Sequence, residues 1–207
     1  MQMMSSGPCP LSVLIPTFNR GEILLDTVQQ LLEQTPPPAE ILVIDQTPSP
    51  EAPIVQQLQA WHDRGLIRWI RLSHPSQPAA LNVGMQAATQ PLLLCLDDDI
   101  RIDPGFLAAH LVPFAHSEVW AVAGQVLQPG EMPLPDYNHQ PRSNALADMQ
   151  FPFRSSQPAW VSNGMSGNLS LRRDRALALG GFDENFLPPV SFHFESDFCK
   201  RLVAAGG

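Results

Sequence analysis

The chain has 207 residues, with 12 Lys and Arg against 20 Asp and Glu, and a formal net charge of −8. That length suits one domain with a sizeable core. A surface this acidic repels phosphate backbones and anionic lipid, which excludes bulk nucleic-acid binding and disfavours an anionic membrane as main partner. No apolar run reaches the ~18 residues that span a bilayer, and Met1 to Pro8 lacks the basic start and apolar stretch of a signal peptide. Cys9, Cys95 and Cys199 have no metal-ligand spacing and read as free thiols of a reducing cytoplasm. The 22 prolines fall mostly between periodic segments and read as stiff loops.

In chain order, Leu11 to Ile15 is a short apolar, partly β-branched run stopped by Pro16, the pattern of a buried strand. Leu24, Leu25, Val28, Leu31 and Leu32 recur at helical spacing between Glu22 and Gln34, and Pro36-Pro37-Pro38 ends that helix. Ile41 to Ile44 is a second buried strand ending at Asp45. Ile54, Val55, Leu58 and Trp61 form a second helix face closed by Gly65, and Leu66 to Leu72 reads as a third strand. Pro78 to Thr89 is a small-residue helix, and Pro91 to Leu96 a continuous apolar strand that runs into Asp97-Asp98-Asp99. Asp103-Pro104 predicts an N-cap and first turn for a helix from Gly105 to about Ala115, kinked at Pro113. Val119 to Val126 reads as a further strand. Residues 127–160 are rich in Pro, Gln, Asn and Ser and read as a long loop of the kind that is often functional. Asn168 to Leu171 (strand), Asp174 to Leu179 (helix), Gly180-Gly181 (C-cap) and a helix from about Glu195 to Ala205 complete the chain.

Strands alternate with helices through residue 126, which predicts an α/β fold: βαβ units and a mostly parallel sheet with helices on both faces. Ligands of such sheets bind at the carboxyl ends of the strands. The residues to interrogate are therefore Pro16 to Arg20, Asp45 and Asp97 to Asp99. Three adjacent carboxylates repel one another unless a cation or donors compensate. Asp97 and Asp99, two apart, point the same way on an extended chain, and their hard oxygens suit Mg²⁺ or Mn²⁺ together with substrate phosphates. The same trio also reads as an acidic turn before the next helix. Asp45 fits either a base- or ribose-binding carboxylate or a turn residue. His193, Glu195 and Asp197 open the last helix, where an acid serves either as general base or as a cap to the helix dipole. Asn163 and Asn168 bound an Asn-Gly loop suited to sugar hydroxyls. His110 and the other histidines read as surface or loop residues, and Trp160 as a possible sugar platform. G-x-G-x-x-G after the first strand, G-x-x-x-x-G-K-[ST] and G-x-S-x-G are absent, which argues against nicotinamide and flavin enzymes, P-loop ATPases and α/β hydrolases.

The ordered set Leu11 to Arg20, Glu40 to Asp45, Ala79 to Gly84, Leu96 to Asp99, Gly180 to Glu184 and Glu195 to Phe198 resembles the family 2 glycosyltransferases, over nearly the whole chain. The resemblance implies a Rossmann-like nucleotide-diphospho-sugar transferase (GT-A) fold, with residues 1–126 as the nucleotide-sugar half and residues 127–207 as the acceptor half. It implies an inverting, metal-dependent transfer from a nucleotide-diphospho-sugar, a UDP type favoured, to a sugar, lipid-linked or glycan hydroxyl in polysaccharide or glycoconjugate synthesis. Pro16, Thr17 and Phe18 would line the base pocket and Asp45 would bind the base. Asn82, Asp97, Asp98, Asn163 and Asn168 would contact substrate. Asp97 and Asp99 would hold Mn²⁺ or Mg²⁺, with Asp99 the direct ligand. The family's acidic pair aligns with Phe194-Glu195-Ser196-Asp197-Phe198, making Glu195 the first choice of base and Asp197 the second. The basic residues common near the diphosphate are replaced by uncharged Ser76-Gln77-Pro78 and Leu81. Family members usually continue beyond the final helix, so the chain is expected to be a C-terminally shortened piece. The implied location is cytoplasmic, peripheral to the inner face of the membrane. A sugar nucleotidyltransferase and a non-catalytic sugar- or nucleotide-binding module remain the alternatives.

Overall fold

A computed structural model describes residues 7–136, 153–186 and 193–207. Six strands form one sheet in the order β3-β2-β1-β4-β6-β5: β1 Cys9–Thr17, β2 Pro38–Asp45, β3 Arg68–Arg71, β4 Leu92–Leu96, β5 Ala121–Ala123 and β6 Asn168–Arg172. Strands β1 to β4 are mutually parallel, and β6 runs antiparallel to both β4 and β5. The helices are α1 Glu22–Leu32, α2 Ala52–Asp63, α3 Gln77–Ala87, α4 Phe106–Leu111, α5 Arg173–Ala178 and α6 Phe194–Ala204.

The continuous apolar runs follow from burial on both faces of the sheet. Successive side chains of a strand point to opposite sides. Leu11, Val13, Ile15, Leu92, Leu94 and Leu96 therefore join the core beneath α1, α2 and α4. Leu14, Leu93, Cys95, Leu169 and Leu171 join the core beneath α3, α5 and α6. On the second face α3 approaches closely because of Gly84, where a Cβ would sit 2.9 Å from the Ile44 side chain. Small residues in this helix thus set the distance between layers. All three cysteines are free and buried, and burial pushes the Cys199 thiol up to about 12.

Several elements depart from the sequence reading. Asp103-Pro104 does not cap a helix: α4 starts at Phe106 after a left-handed Gly105, and Asp103 instead accepts from the Phe106 N–H in a preceding turn. After Leu111 the helix tightens into a 3₁₀ turn, Val112–Ala115, with Pro113 at its start. The strand expected over 119–126 is only Ala121–Ala123. The division at residue 126 is not a boundary in the sheet, because β6 lies between β4 and β5. The long loop is not featureless where it is described. Val126 N–H donates to Phe153, Leu134 N–H to Arg154 and Ser156 N–H to Leu134, so its two arms run side by side. His110, expected at the surface, is buried: its Nδ1 lies 2.8 Å from Ser170 Oγ and its Nε2 2.8 Å from Asn168 Oδ1. Burial pushes its imidazole down to about 4, so it stays neutral at ordinary pH.

At the amino-terminal edge of the sheet Glu40 ties four strands together. Its carboxylate accepts from Ser12 Oγ on β1, from Arg68 Nη1 on β3 (2.7 Å), and from Thr89 N (2.9 Å) and Oγ1 (3.1 Å) just before β4. Burial pushes this carboxyl up, but the hydrogen bonds outweigh it and the net shift is downward. A depressed folded value contributes stability that is present above the unfolded value and lost as the pH falls through the folded one. Glu40→Gln should therefore lower the urea midpoint at neutral pH, and the gap to wild type should close as the pH falls below about 4.5. An equal gap at neutral and acid pH would contradict this.

Candidate active site

Strands β1, β2 and β3 end level, with Thr17 opposite Asp45 and Asp45 opposite Arg71, while β4, with Cys95 opposite Leu14, stops two residues earlier at Leu96. The loops that leave those ends meet the Met165 to Gly167 turn entering β6 and the first turn of α6. Together they bound a cleft of about 730 Å³ lined by Pro16 to Arg20, Gln46, Pro75 to Pro78, Asp97 to Asp99, Met165 to Gly167, Phe186 and Glu195.

The acidic trio is held from below by α1. Thr27 and Gln30 lie three residues apart on one face of that helix, and Gln34 follows just past its C-terminal end. Thr27 Oγ1 donates to the Asp98 carbonyl (2.9 Å), Gln30 Nε2 to Ile100 (3.0 Å), and Gln34 Nε2 to Asp103 (3.2 Å). Strand β4 ends at Leu96, so strand alternation alone does not aim the carboxylates; this loop scaffold does. All three line the cleft. Asp98 is nearly buried, with Arg20 Nε 3.2 Å from its carboxylate, and Arg20 Nη2 lies 3.2 Å from Asp99 Oδ2. Asp97 packs against Gly167, where a Cβ would overlap its carboxylate. Burial first, then Asp99, Asp98 and Glu195, pushes the Asp97 carboxyl up to about 6, with Arg20 opposing. Burial also raises Asp98, and Arg20 again opposes.

Among the described residues, no group of three or more His, Cys, Asp or Glu side chains is placed to hold a metal ion unaided. The donor set nevertheless fits a hard divalent cation. Two oxygen-donor side chains, Asp97 and Asp99, open on a cleft whose negative charge is under-compensated. Mg²⁺-like ions are held this way by one or two carboxylates, with substrate phosphates completing the shell.

Glu195 enters the cleft from the first turn of α6. Ser166 Oγ donates to its Oε1 at 2.8 Å, and Gln77 Nε2 reaches Ser166 Oγ at 3.4 Å. Asp197 is not in the cleft. It accepts from Arg201 Nε (2.9 Å), whose other nitrogens cap the carbonyls of Leu179 and Gly181 (2.8 Å each). That carboxylate ties α6 to the end of α5.

Three further residues expected to contact substrate are hydrogen-bonded within the protein. Asp45 is 2% exposed. One of its oxygens accepts from Thr47 N (2.8 Å) and the other from Trp69 Nε1 (3.2 Å); its neighbour Gln46 lines the cleft instead. Asn82 accepts from Phe182 N and donates to Phe182 O and Glu184 Oε1, each at 2.8 Å, across a Gly180-Gly181 turn with positive φ at both glycines. Asn168 pairs with His110 and donates to Gln125 O (3.0 Å). Asn163 is half-buried and outside the cleft, and its side-chain oxygen is buried with no hydrogen-bond partner among the described residues. Trp160 is exposed and also outside the cleft. Pro16, Thr17 and Phe18 do line the cleft, with Phe18 the most exposed of the three. Sequence reasoning assigned nothing to Gln46, Gln77 or Ser166. A serine or glutamine in a loop carries no periodicity, and only the meeting of distant loops reveals it.

The sequence profile of glycosyl transferase family 2 matches residues 12–179. The chain belongs to that family. The O-antigen biosynthesis protein RfbC of Myxococcus xanthus is 29% identical over an alignment that covers 87% of this chain but 15% of RfbC. Among solved structures, the mannosyltransferase PcManGT from Pyrobaculum calidifontis, in complex with GDP-Man and Mn²⁺, matches 99% of this chain and 56% of its own at a TM-score of 0.68 and 16% identity. GalNAc-T7, with UDP, GalNAc and Mn²⁺, matches 95% of this chain and 41% of its own at 0.72 and 17%. These likenesses establish the fold as that of the GT-A glycosyltransferases. The chain spans 15% of its curated relative and about half of the structural ones.

Family membership and the new position of Asn82 make a direct test. Asn82→Ala removes three hydrogen bonds and leaves the Phe182 amide and carbonyl unpaired, at a cost of about 1–3 kcal/mol. It should lower the denaturation midpoint while leaving any nucleotide-dependent stabilisation unchanged in size. Loss of that stabilisation without loss of stability would restore Asn82 to the substrate site.

Proposed function

We propose that this domain catalyses metal-assisted transfer of a sugar from a nucleoside-diphosphate sugar to a hydroxyl acceptor, with inversion at the anomeric carbon. The observation that carries the reading is one cleft, at the carboxyl edge of the sheet, that holds the Glu195 carboxylate together with Asp97 to Asp99. Family membership supports glycosyl transfer as the chemistry, and the nucleotides and Mn²⁺ in PcManGT and GalNAc-T7 support this donor class.

The base and ribose would lie along Pro16, Thr17 and Phe18, with Gln46 in reach as a neutral donor and acceptor. The diphosphate would lie over Asp97 to Asp99. A divalent cation bound by Asp97 and Asp99 would supply neutralisation of the charge on the departing diphosphate. Glu195 would accept the proton of the acceptor hydroxyl as its oxygen bonds to the anomeric carbon. The bond from that carbon to the diphosphate oxygen breaks, and its electron pair leaves with the nucleoside diphosphate. Ser166 would orient Glu195 through its 2.8 Å hydrogen bond. The RfbC relative favours an acceptor in surface-polysaccharide assembly, a sugar, lipid-linked or glycan hydroxyl. No helix among the described residues is long and apolar enough to cross a membrane, and we place the reaction in the cytoplasm at the periphery of the inner membrane face.

Release of nucleoside diphosphate from a panel of UDP-, GDP-, CDP- and dTDP-sugars in Mn²⁺, with UDP-sugars first, tests this. Glu195→Gln should lower turnover by about 10²–10⁴-fold with nucleotide binding retained, and Asp197→Asn should leave turnover close to wild type. Full activity in Glu195→Gln would remove Glu195 as base. Nucleotide binding with no turnover under any donor would favour the non-catalytic module.

A further inference from the structure

Among the described residues that line the cleft, Arg20 is the only Lys, Arg or His side chain. Four carboxylates line it with Arg20: Asp97, Asp98, Asp99 and Glu195. A donor diphosphate adds further negative charge. A divalent cation shared by Asp97 and Asp99 offsets only part of that total, and the uncharged Ser76, Gln77 and Pro78 on the facing wall contribute no compensating charge. Among the described residues, the protein's own positive charge here therefore has one source.

The backbone is shaped to put it there. Asn19 has φ 57°, an uncommon conformation for a non-glycine residue, and Gly21 also has φ 57°. Asn19 is held in that turn by donation from its N–H to Thr47 Oγ1 at 2.9 Å. Two left-handed residues flanking Arg20 reverse the chain after β1. From this turn the Arg20 guanidinium reaches the Asp98 and Asp99 carboxylates at 3.2 Å. The Arg20 side chain remains 48% exposed, so N–H groups not aimed at Asp98 and Asp99 remain open to a ligand. A guanidinium carries five donors in a fixed fork suited to phosphate oxygens.

We propose that Arg20 is the diphosphate-binding cation of this cleft, one side of its guanidinium holding Asp98 and Asp99 while its free N–H groups bind the donor's phosphate oxygens. The inference rests on the nucleotide-sugar reading above. It assigns to the loop after β1 the task that the basic residues absent around Ser76 to Leu81 would perform.

Calorimetric titrations in Mn²⁺ with UDP and GDP, and with uridine and guanosine as matched probes lacking phosphate, test it on wild type, Arg20→Gln and Arg20→Lys. Arg20→Gln should weaken the bound diphosphate about tenfold to a hundredfold and leave nucleoside affinity unchanged. Arg20→Lys should recover part of the loss, as a point charge without the fork. Titration of Mn²⁺ alone should show tighter binding in Arg20→Gln, because Asp99 loses its competing partner. Equal weakening of nucleoside and nucleotide would show that Arg20 only braces the acidic loop and would overturn the proposal, as would unchanged diphosphate binding in a folded Arg20→Gln protein. A wild-type protein that binds no nucleotide at all would overturn the nucleotide-sugar reading itself, and this role with it.

Discussion

Mutual repulsion among Asp97, Asp98, Asp99 and Glu195 is the constraint around which the rest of the molecule is arranged. Desolvation and like charge push the Asp97 carboxyl up to about 6, so the folded chain gives up electrostatic free energy to keep it there. Such a group is most at ease protonated, or beside an added cation. Arg20 offsets only part of that cost, so the arrangement makes physical sense as a site suited to a positively charged partner. Perturbed carboxylates in a cleft are the expected mark of a functional site.

Everything near the trio keeps those carboxylates in place against that repulsion. The apolar strand β4 delivers them to the sheet edge. Thr27 and Gln30 of α1 and Gln34 just beyond it take the polar backbone of the loop that follows. Gly167 leaves the space that Asp97 fills, and Arg20 lies across Asp98 and Asp99. At the other edge of the sheet Glu40 ties β2 to β1, to β3 and to Thr89 just before β4. Asp197, Asn82 and Asn168 belong to the same scaffold. They tie α6, the Gly180-Gly181 turn and β6 to their neighbours. Their polar side chains work on the protein, one layer behind the cleft.

Much of this was legible in the residues. Continuous apolar runs, helical spacing between them and proline stops identified β1, β2 and β4 and the helices between them, because burial on both faces leaves a clear pattern. The shorter β3 is half-exposed and read less sharply, over Leu66 to Leu72 rather than Arg68–Arg71. The acidic trio at the end of one such run marked the cleft. What stayed hidden depends on long-range meetings. Asp45 reads the same whether it faces solvent or Trp69, and Asn82 gives no sign that its partner lies a hundred residues away at Phe182. His110 sits on a short helix whose buried face is set by β6, a strand that inserts out of sequence order between β4 and β5. Glu195 and Asp197 are two apart on one helix, and helical geometry sends them in different directions. Only the direction from which α6 approaches decides which enters the cleft.

The central claim is that Asp97 and Asp99 share a divalent cation with a donor diphosphate in the cleft that Glu195 also lines. The most direct measurement is a crystal structure of this chain grown with Mn²⁺ and the nucleoside diphosphate that it binds best, using anomalous scattering to locate the metal. The account predicts one Mn²⁺ peak bonded to carboxylate oxygens of Asp97 or Asp99 and to phosphate oxygens, with the base over Phe18 and Glu195 free of the metal. A nucleotide bound away from these carboxylates, or a metal held by Glu195 and Asp197, would contradict it.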